Sequence, residues 1–272
     1  MGRPPTDEDA RDASMVTRLA LDELDGDRFR SVSPTDRGHV FGGLLVGQAV
    51  RAAQLTVIDD DAIRSLHASF VRAGRPGRHV ELAVERTRDG SSFATRRVVV
   101  SQGDDIVLVL TADFHREEDG PEYQVPPVAE VPGPDAAAIG RYDSPWFASL
   151  DVPVDDPPSV PPLARRTWYH ARAPLPDDPA LHLAALAYMS DHGPTRSARE
   201  PHVHLADDAR RMSVSLDHSV WFHRPTRVDQ WLLYELVPIS TARGRGLSIG
   251  TIREESGCLV ATVAQEVVLR LR

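Results

Sequence analysis

The 272-residue chain has no lysine, a single cysteine and few aromatic residues. One thiol, Cys258, cannot form an internal disulfide, so the fold must rest on its core, as suits a reducing cytoplasm. No stretch approaches the ~18 consecutive apolar residues of a membrane helix, so no membrane span is expected. The opening Met1 to Ala13 is polar and acidic, unlike a secretory signal or a transit peptide, and reads as a disordered tail. The closing Leu269-Arg270-Leu271-Arg272 is not a peroxisomal tripeptide, and a cytoplasmic protein is expected. Glycine-rich phosphate loops and cysteine pairs are also missing, so neither a cofactor nor a metal is predicted. All 31 basic residues are arginine, and 40 acidic residues outnumber them to leave a net charge of -9. That balance argues against a nucleic-acid partner, which needs a basic face.

What is present falls into two similar runs. Residues 14–24 carry Val16, Leu19 and Leu24 at helical spacing, which predicts a short amphipathic helix. Phe41 to Ala53 is apolar and rich in small residues, as in a helix buried nearly all round. Then come strand-like segments at 66–71, 80–85, 93–100 and 106–114, with turns at Asp89-Gly90 and Gly103-Asp104. Residues 115 to about 165 hold 11 of the 22 prolines and little periodicity. Together with the residues up to 180 they read as an inter-domain connection, packed down by Trp146, Phe147, Trp168 and Tyr169. A second apolar helix follows at 181–191, then strands at 212–222, 231–237, 246–253 and 259–271.

The order repeats: helix first, then antiparallel strands. Ser69-Phe70-Val71-Arg72 aligns with Trp221-Phe222-His223-Arg224. Phe70 to Ala112 spans 42 residues, and Phe222 to Gln265 spans 43. Duplication of one unit of about 100 residues explains this, with repeats at 14–114 and 181–272. A helix wrapped by a curved antiparallel sheet is the hotdog arrangement, so the predicted fold class is α+β, a tandem (double) hotdog. Two copies joined edge to edge cover each other's exposed strand edges.

Two polar residues stand out in apolar surroundings. Asp191 ends a nearly all-apolar helix, where the helix dipole does not favour an acid. Poor solvation there would raise its pKa toward that of a working base; alternatively, it faces solvent or caps the next turn. Gln265 interrupts the row Leu259, Ala261, Val263, Val267 and Leu269, all of one strand parity. A buried amide needs partners, which backbone alone could supply. Gly246-Leu247-Ser248-Ile249-Gly250 matches the serine-hydrolase pattern but lies in a β run rather than at a strand-to-helix turn. His202 and His204 with Asp207 and Asp208, and further along His218 and His223, lack the spacing of a zinc site.

Several blocks together resemble the acyl-CoA thioesterase II family. In the first run they are Val40 to Ala49, Leu66 to Phe70, Arg88 to Phe93 and Arg96 to Val98. In the second they are Ala187 to Asp191, Asp217 to Pro225, Trp231 to Tyr234, Ala242 to Gly244 and Val263 to Glu266. The resemblance implies hydrolysis of fatty acyl-CoA, by a site in the second repeat made of an Asp, a hydroxyl residue and a Gln. These fall on Asp191, Ser215 and Gln265. The family's hydroxyl residue is Thr. Serine keeps its donor and acceptor oxygen but loses the methyl that fixes the rotamer. By strand parity alone, Ser215 shares the face of Ser213, Asp217 and Ser219 and reads as solvent-facing.

The expected mechanism is direct attack by a water that Asp191 deprotonates and that Ser215 and Gln265 hold, with backbone N–H groups near Gly42 and Gly43 meeting the oxyanion. Gln48, read as the first helix's counterpart of Asp191, cannot be a base, so the first repeat is expected to be silent. His67 sits in a core-patterned strand. Arg97 and Arg243, among clustered arginines that include Arg72, Arg75, Arg78, Arg96 and Arg245, are candidates for CoA phosphates. Gly42, Gly43, Gln48, His67, Arg97 and Arg243 are thus the candidate substrate-binding residues. A homodimer or homotetramer is expected. A non-catalytic acyl-CoA-binding protein and an acyl-thioester hydratase or dehydratase stand as alternatives.

Overall fold

The computed structural model describes residues 14–32, 38–58, 61–127, 131–135, 141–152, 165–202 and 211–271. The tail at 1–13, and His204, Asp207 and Asp208 of the histidine-rich stretch, lie outside them.

The first repeat opens with α1 (Met15–Arg18), β1 (Asp22–Leu24) and β2 (Arg28–Val32). The predicted helix at 14–24 is therefore one turn long. Ser14 caps it, and the chain then turns through Gly26 and Asp27, both at positive φ, into β2. Helix α2 (Gly42–Gln54) follows, then β3 (Asp61–Phe70), β4 (His79–Asp89), β5 (Phe93–Gln102) and β6 (Asp105–Arg116). The second repeat has β9 (Arg165–Ala171), α3 (Pro179–Ser190), β11 (Asp217–Phe222), β12 (Leu232–Ala242), β13 (Arg245–Glu254) and β14 (Leu259–Leu271). Around it lie β7 (Arg141–Asp143), β8 (Phe147–Asp151), α4 (Pro194–Arg199) and β10 (Arg211–Ser215).

Among the described residues, fourteen strands form one antiparallel sheet in the order β1-β2-β4-β5-β6-β3-β11-β14-β13-β12-β9-β8-β7, with β10 also on β14. The β3–β11 pairing joins the halves, and on either side the order is the same: β3-β6-β5-β4-β2 against β11-β14-β13-β12-β9. This is the double hotdog. Strand β9 is the counterpart of β2 and lies inside the stretch 115–180 read as a connection. Its signal is hidden because both faces are covered. Tyr169 joins the main core, while Trp168 packs with Val152, Val131, Trp231 and Leu233 in a second cluster.

Helices α2 and α3 pack on each other inside the curved sheet. Their contact needs glycine: a Cβ on Gly47 would lie 3.0 Å from Tyr188 Cβ, and one on Gly43 would strike the Tyr188 carbonyl oxygen. Helix α3 is capped by Asp178, which accepts from Leu181 N–H at 3.2 Å, with Pro179 in the first turn. Buried residues occupy every position from Leu181 to Ser190, so its flanks face the sheet and α2 alike.

Candidate active site

Asp191 is the C-cap of α3 and is 7% exposed. Burial pushes its carboxyl pKa up to about 7, against partial relief from the Gln265 amide, the Gly43 N–H and the Ser215 hydroxyl. Its Oδ1 is buried with no hydrogen-bond partner among the described residues. The N-terminal end of α2 closes on it: a Cβ on Gly42 would sit 2.8 Å from Asp191 Oδ2 and 2.7 Å from the Phe70 ring. Phe41 caps that helix without a side-chain hydrogen bond, so α2 presents backbone N–H groups to the carboxylate.

Gln265 is fully buried on β14, as its place in an apolar row requires. Its Nε2 donates to Ser215 Oγ at 2.7 Å. The structure therefore brings Asp191, Ser215 and Gln265 together from positions far apart in the chain. Ser215 is half-buried and does not take the solvent-facing place that simple alternation gives it. The reason is a register change at Leu216: Ser215 pairs with Val267 in β10, while Ser219 pairs with Ala264 in β11. The extra residue flips the parity and puts Ser215 on the inner face with His218 and Val220.

His218 is the residue that sequence reasoning passed over. It is fully buried, with Nδ1 2.6 Å from Gln265 Oε1 and Nε2 2.8 Å from Ser190 Oγ. Burial holds its pKa down to about 4. The signal was available, because His218 shares the inward parity of Val220 and Phe222.

The other candidates scatter. Gly42 and Gly43 border Asp191. Gln48 lies in the middle of α2, and its amide is satisfied by Ser31 Oγ at 2.9 Å and the Arg18 carbonyl at 3.1 Å. The position matching Asp191 is instead the α2 C-cap, Leu55. His67 is exposed on the outer face of the sheet, against Ser219 and the Trp221 ring, opposite the helices. Its neighbours Leu66 and Ala68 are the residues that point inward. Arg97 is on the same outer face and pairs with Glu85, and Arg243 sits in the β12–β13 turn at positive φ. Arg96 is a buried structural residue, bonded to Thr56 and to backbone carbonyls. Ser248 lies within β13 and donates to the Pro194 carbonyl, far from the geometry of a nucleophile elbow. His192 turns to the Tyr169 hydroxyl, 3.1 Å away, and to the Phe147 ring.

Residues 31–115 match the family model of the acyl-CoA thioesterase N-terminal domain, and residues 159–268 match that of acyl-CoA thioesterase. Human acyl-coenzyme A thioesterase 8 is 35% identical, over 100% of this chain and 92% of that protein. The crystal structure of an acyl-CoA thioesterase II from Mycobacterium marinum superposes with a TM-score of 0.80 at 35% identity, covering 95% of this chain and 97% of that one. A hotdog protein from Alicyclobacillus acidocaldarius, 19% identical with a TM-score of 0.78 over 95% and 98% of the two chains, shares the fold.

Proposed function

The chain belongs to the acyl-CoA thioesterase II family, and from that premise we propose that it hydrolyses fatty acyl-CoA by direct attack of water at Asp191. The observation that carries this reading is a buried carboxyl with a pKa of about 7 and one oxygen without a partner among the described residues. Near neutrality such a group is partly ionised and basic enough to accept a proton, which is what a general base requires. The buried Oδ1 is the place for the water's proton.

Ser215 and Gln265 offer a hydroxyl and an amide on the same inner face, close enough to fix the water before it attacks. As the water oxygen bonds to the thioester carbon, the carbonyl oxygen gains charge. The Gly43 N–H serves the Asp191 carboxyl, so the Gly42 N–H, in the first turn of α2, is left to meet it. Collapse of the tetrahedral intermediate expels the CoA thiolate and leaves the fatty acid, with the proton held on Asp191 returned to the leaving sulfur. No side chain is acylated.

Release of free thiol from palmitoyl-CoA, followed with a thiol reagent, tests the proposal. The wild-type protein should release thiol continuously. Asp191→Ala should slow this by about a thousandfold, within the range for loss of a general base, while keeping its melting temperature. Full activity in that variant removes Asp191 from the mechanism, and an inert wild type removes the hydrolysis.

A further inference from the structure

His218 has no task in the mechanism above, yet its Nδ1 lies 2.6 Å from Gln265 Oε1. It is neutral over the working range and so carries a single ring proton. Its Nδ1 faces Gln265 Oε1, which only accepts, because the amide nitrogen is the atom that donates to Ser215 Oγ. With the amide turned this way, the matching tautomer carries the ring proton on Nδ1. Nε2 then accepts from the Ser190 hydroxyl, 2.8 Å away. Ser190 Oγ also donates to the Ala187 carbonyl at 2.9 Å, so its one proton is shared between that carbonyl and the ring. The Tyr234 hydroxyl donates to the Ser190 carbonyl at 3.0 Å and holds the last turn of α3 in place.

Every bond in this buried row runs in one direction. Ser190 donates to His218, His218 to Gln265, and Gln265 to Ser215. The Ser215 proton is thereby left for the Asp191 carboxylate or for its water. The opposite amide orientation would reverse the outcome. Gln265 would then present its oxygen to Ser215, Ser215 would spend its proton there, and only lone pairs would face the carboxylate. The two ends of an amide have nearly the same shape, so packing alone does not choose between them. A neighbouring donor does.

We propose that His218 is a positioning residue for the hydrolytic site, its Nδ1–H fixing the Gln265 amide so that Ser215 donates toward Asp191. The first repeat supports this. Ser248 pairs with Gln265 as Arg96 pairs with Ala112, and Ala112 in turn pairs with Leu66. One step beyond the Ser219–Ala264 pair, His218 stands opposite Gln265 as Leu66 stands opposite Ala112. The repeat without the acid has an apolar pair where the repeat with it has histidine and glutamine.

The proposal rests on the hydrolysis reading, but it fails separately. Nitrogen NMR of wild-type protein labelled at histidine reports the tautomer directly, and the His218 ring should be protonated at Nδ1. The variant His218→Leu copies Leu66 and suits the apolar surroundings. It should lose about 100-fold in kcat on palmitoyl-CoA, the scale of a small misplacement, with KM within about threefold and an unchanged melting temperature. His218→Gln keeps an N–H donor and should recover part of the loss. An Nε2-protonated ring in active wild-type protein, or wild-type kcat in His218→Leu, overturns the proposal. If the leucine variant does not fold, the tautomer alone decides. A wild type that releases no thiol sinks the hydrolysis reading and leaves the tautomer to judge the row.

Discussion

The two repeats share one plan and place different chemistry on it. At the end of its helix the first has Leu55 where the second has Asp191, and on the inner sheet face it has Leu66 and Ala112 where the second has His218 and Gln265. Each half nevertheless serves the one site. The second supplies the acid and its polar row, while the first supplies the α2 N-terminus, with Gly42 and Gly43, and the Phe70 ring. The mirrored crevice lies between the end of α2 and the start of α3. Gln54 donates to the Ala180 carbonyl, and Arg51 pairs with Asp178. In the proposed reading the difference is chemical: one crevice holds a buried carboxyl, whereas the other holds a neutral amide, Gln54, whose Oε1 is likewise without a partner among the described residues.

This contrast can be broken by making the second repeat resemble the first. Gln265→Ala installs the residue found at position 112 and removes the partner of both Ser215 and His218. It should cost about 100- to 1,000-fold in kcat, the range for losing a preorganised donor, as measured by thiol release. A smaller loss is expected on the first repeat's side of the crevice. Gly42→Ala adds a methyl that must displace the Asp191 carboxylate or the Phe70 ring, and about tenfold in kcat should go with it. Smallest for catalysis is Gln48→Leu. It removes an amide that serves Ser31 and Arg18 only, so kcat should stay near wild type while chemical denaturation shows about 1–3 kcal/mol of lost stability. A large kcat loss with unchanged stability in that variant would give the first repeat a direct catalytic part.

Much of this contrast was legible in the sequence. The repeat and its strand spacing come from hydrophobic periodicity, which survives without tertiary context. Asp191 and Gln265 were visible because each is polar in an apolar frame. Three features were hidden, each for a physical reason. The register change at Leu216 moves Ser215 inward, and a shift of one residue in pairing leaves no local mark on the sequence. Strand β9 is covered on both faces, so its residues do not alternate. His67 was placed in the core by its apolar neighbours, although alternation next to buried Leu66 and Ala68 puts it outside. His218 followed the inward parity and was legible, but histidine in a patterned strand does not announce its partner.

The central claim is that one buried carboxyl, with a pKa of about 7, acts as the base. The catalytic form is the ionised one, so activity must rise with pH. The pH dependence of kcat/KM on palmitoyl-CoA, taken from about pH 5 to 9, tests this most directly. The account predicts a rise through a single step near pH 7, a plateau above it, and only a low residual rate in Asp191→Asn. A rate that is level from pH 5 to 8, or the same step persisting at full height in Asp191→Asn, would contradict it.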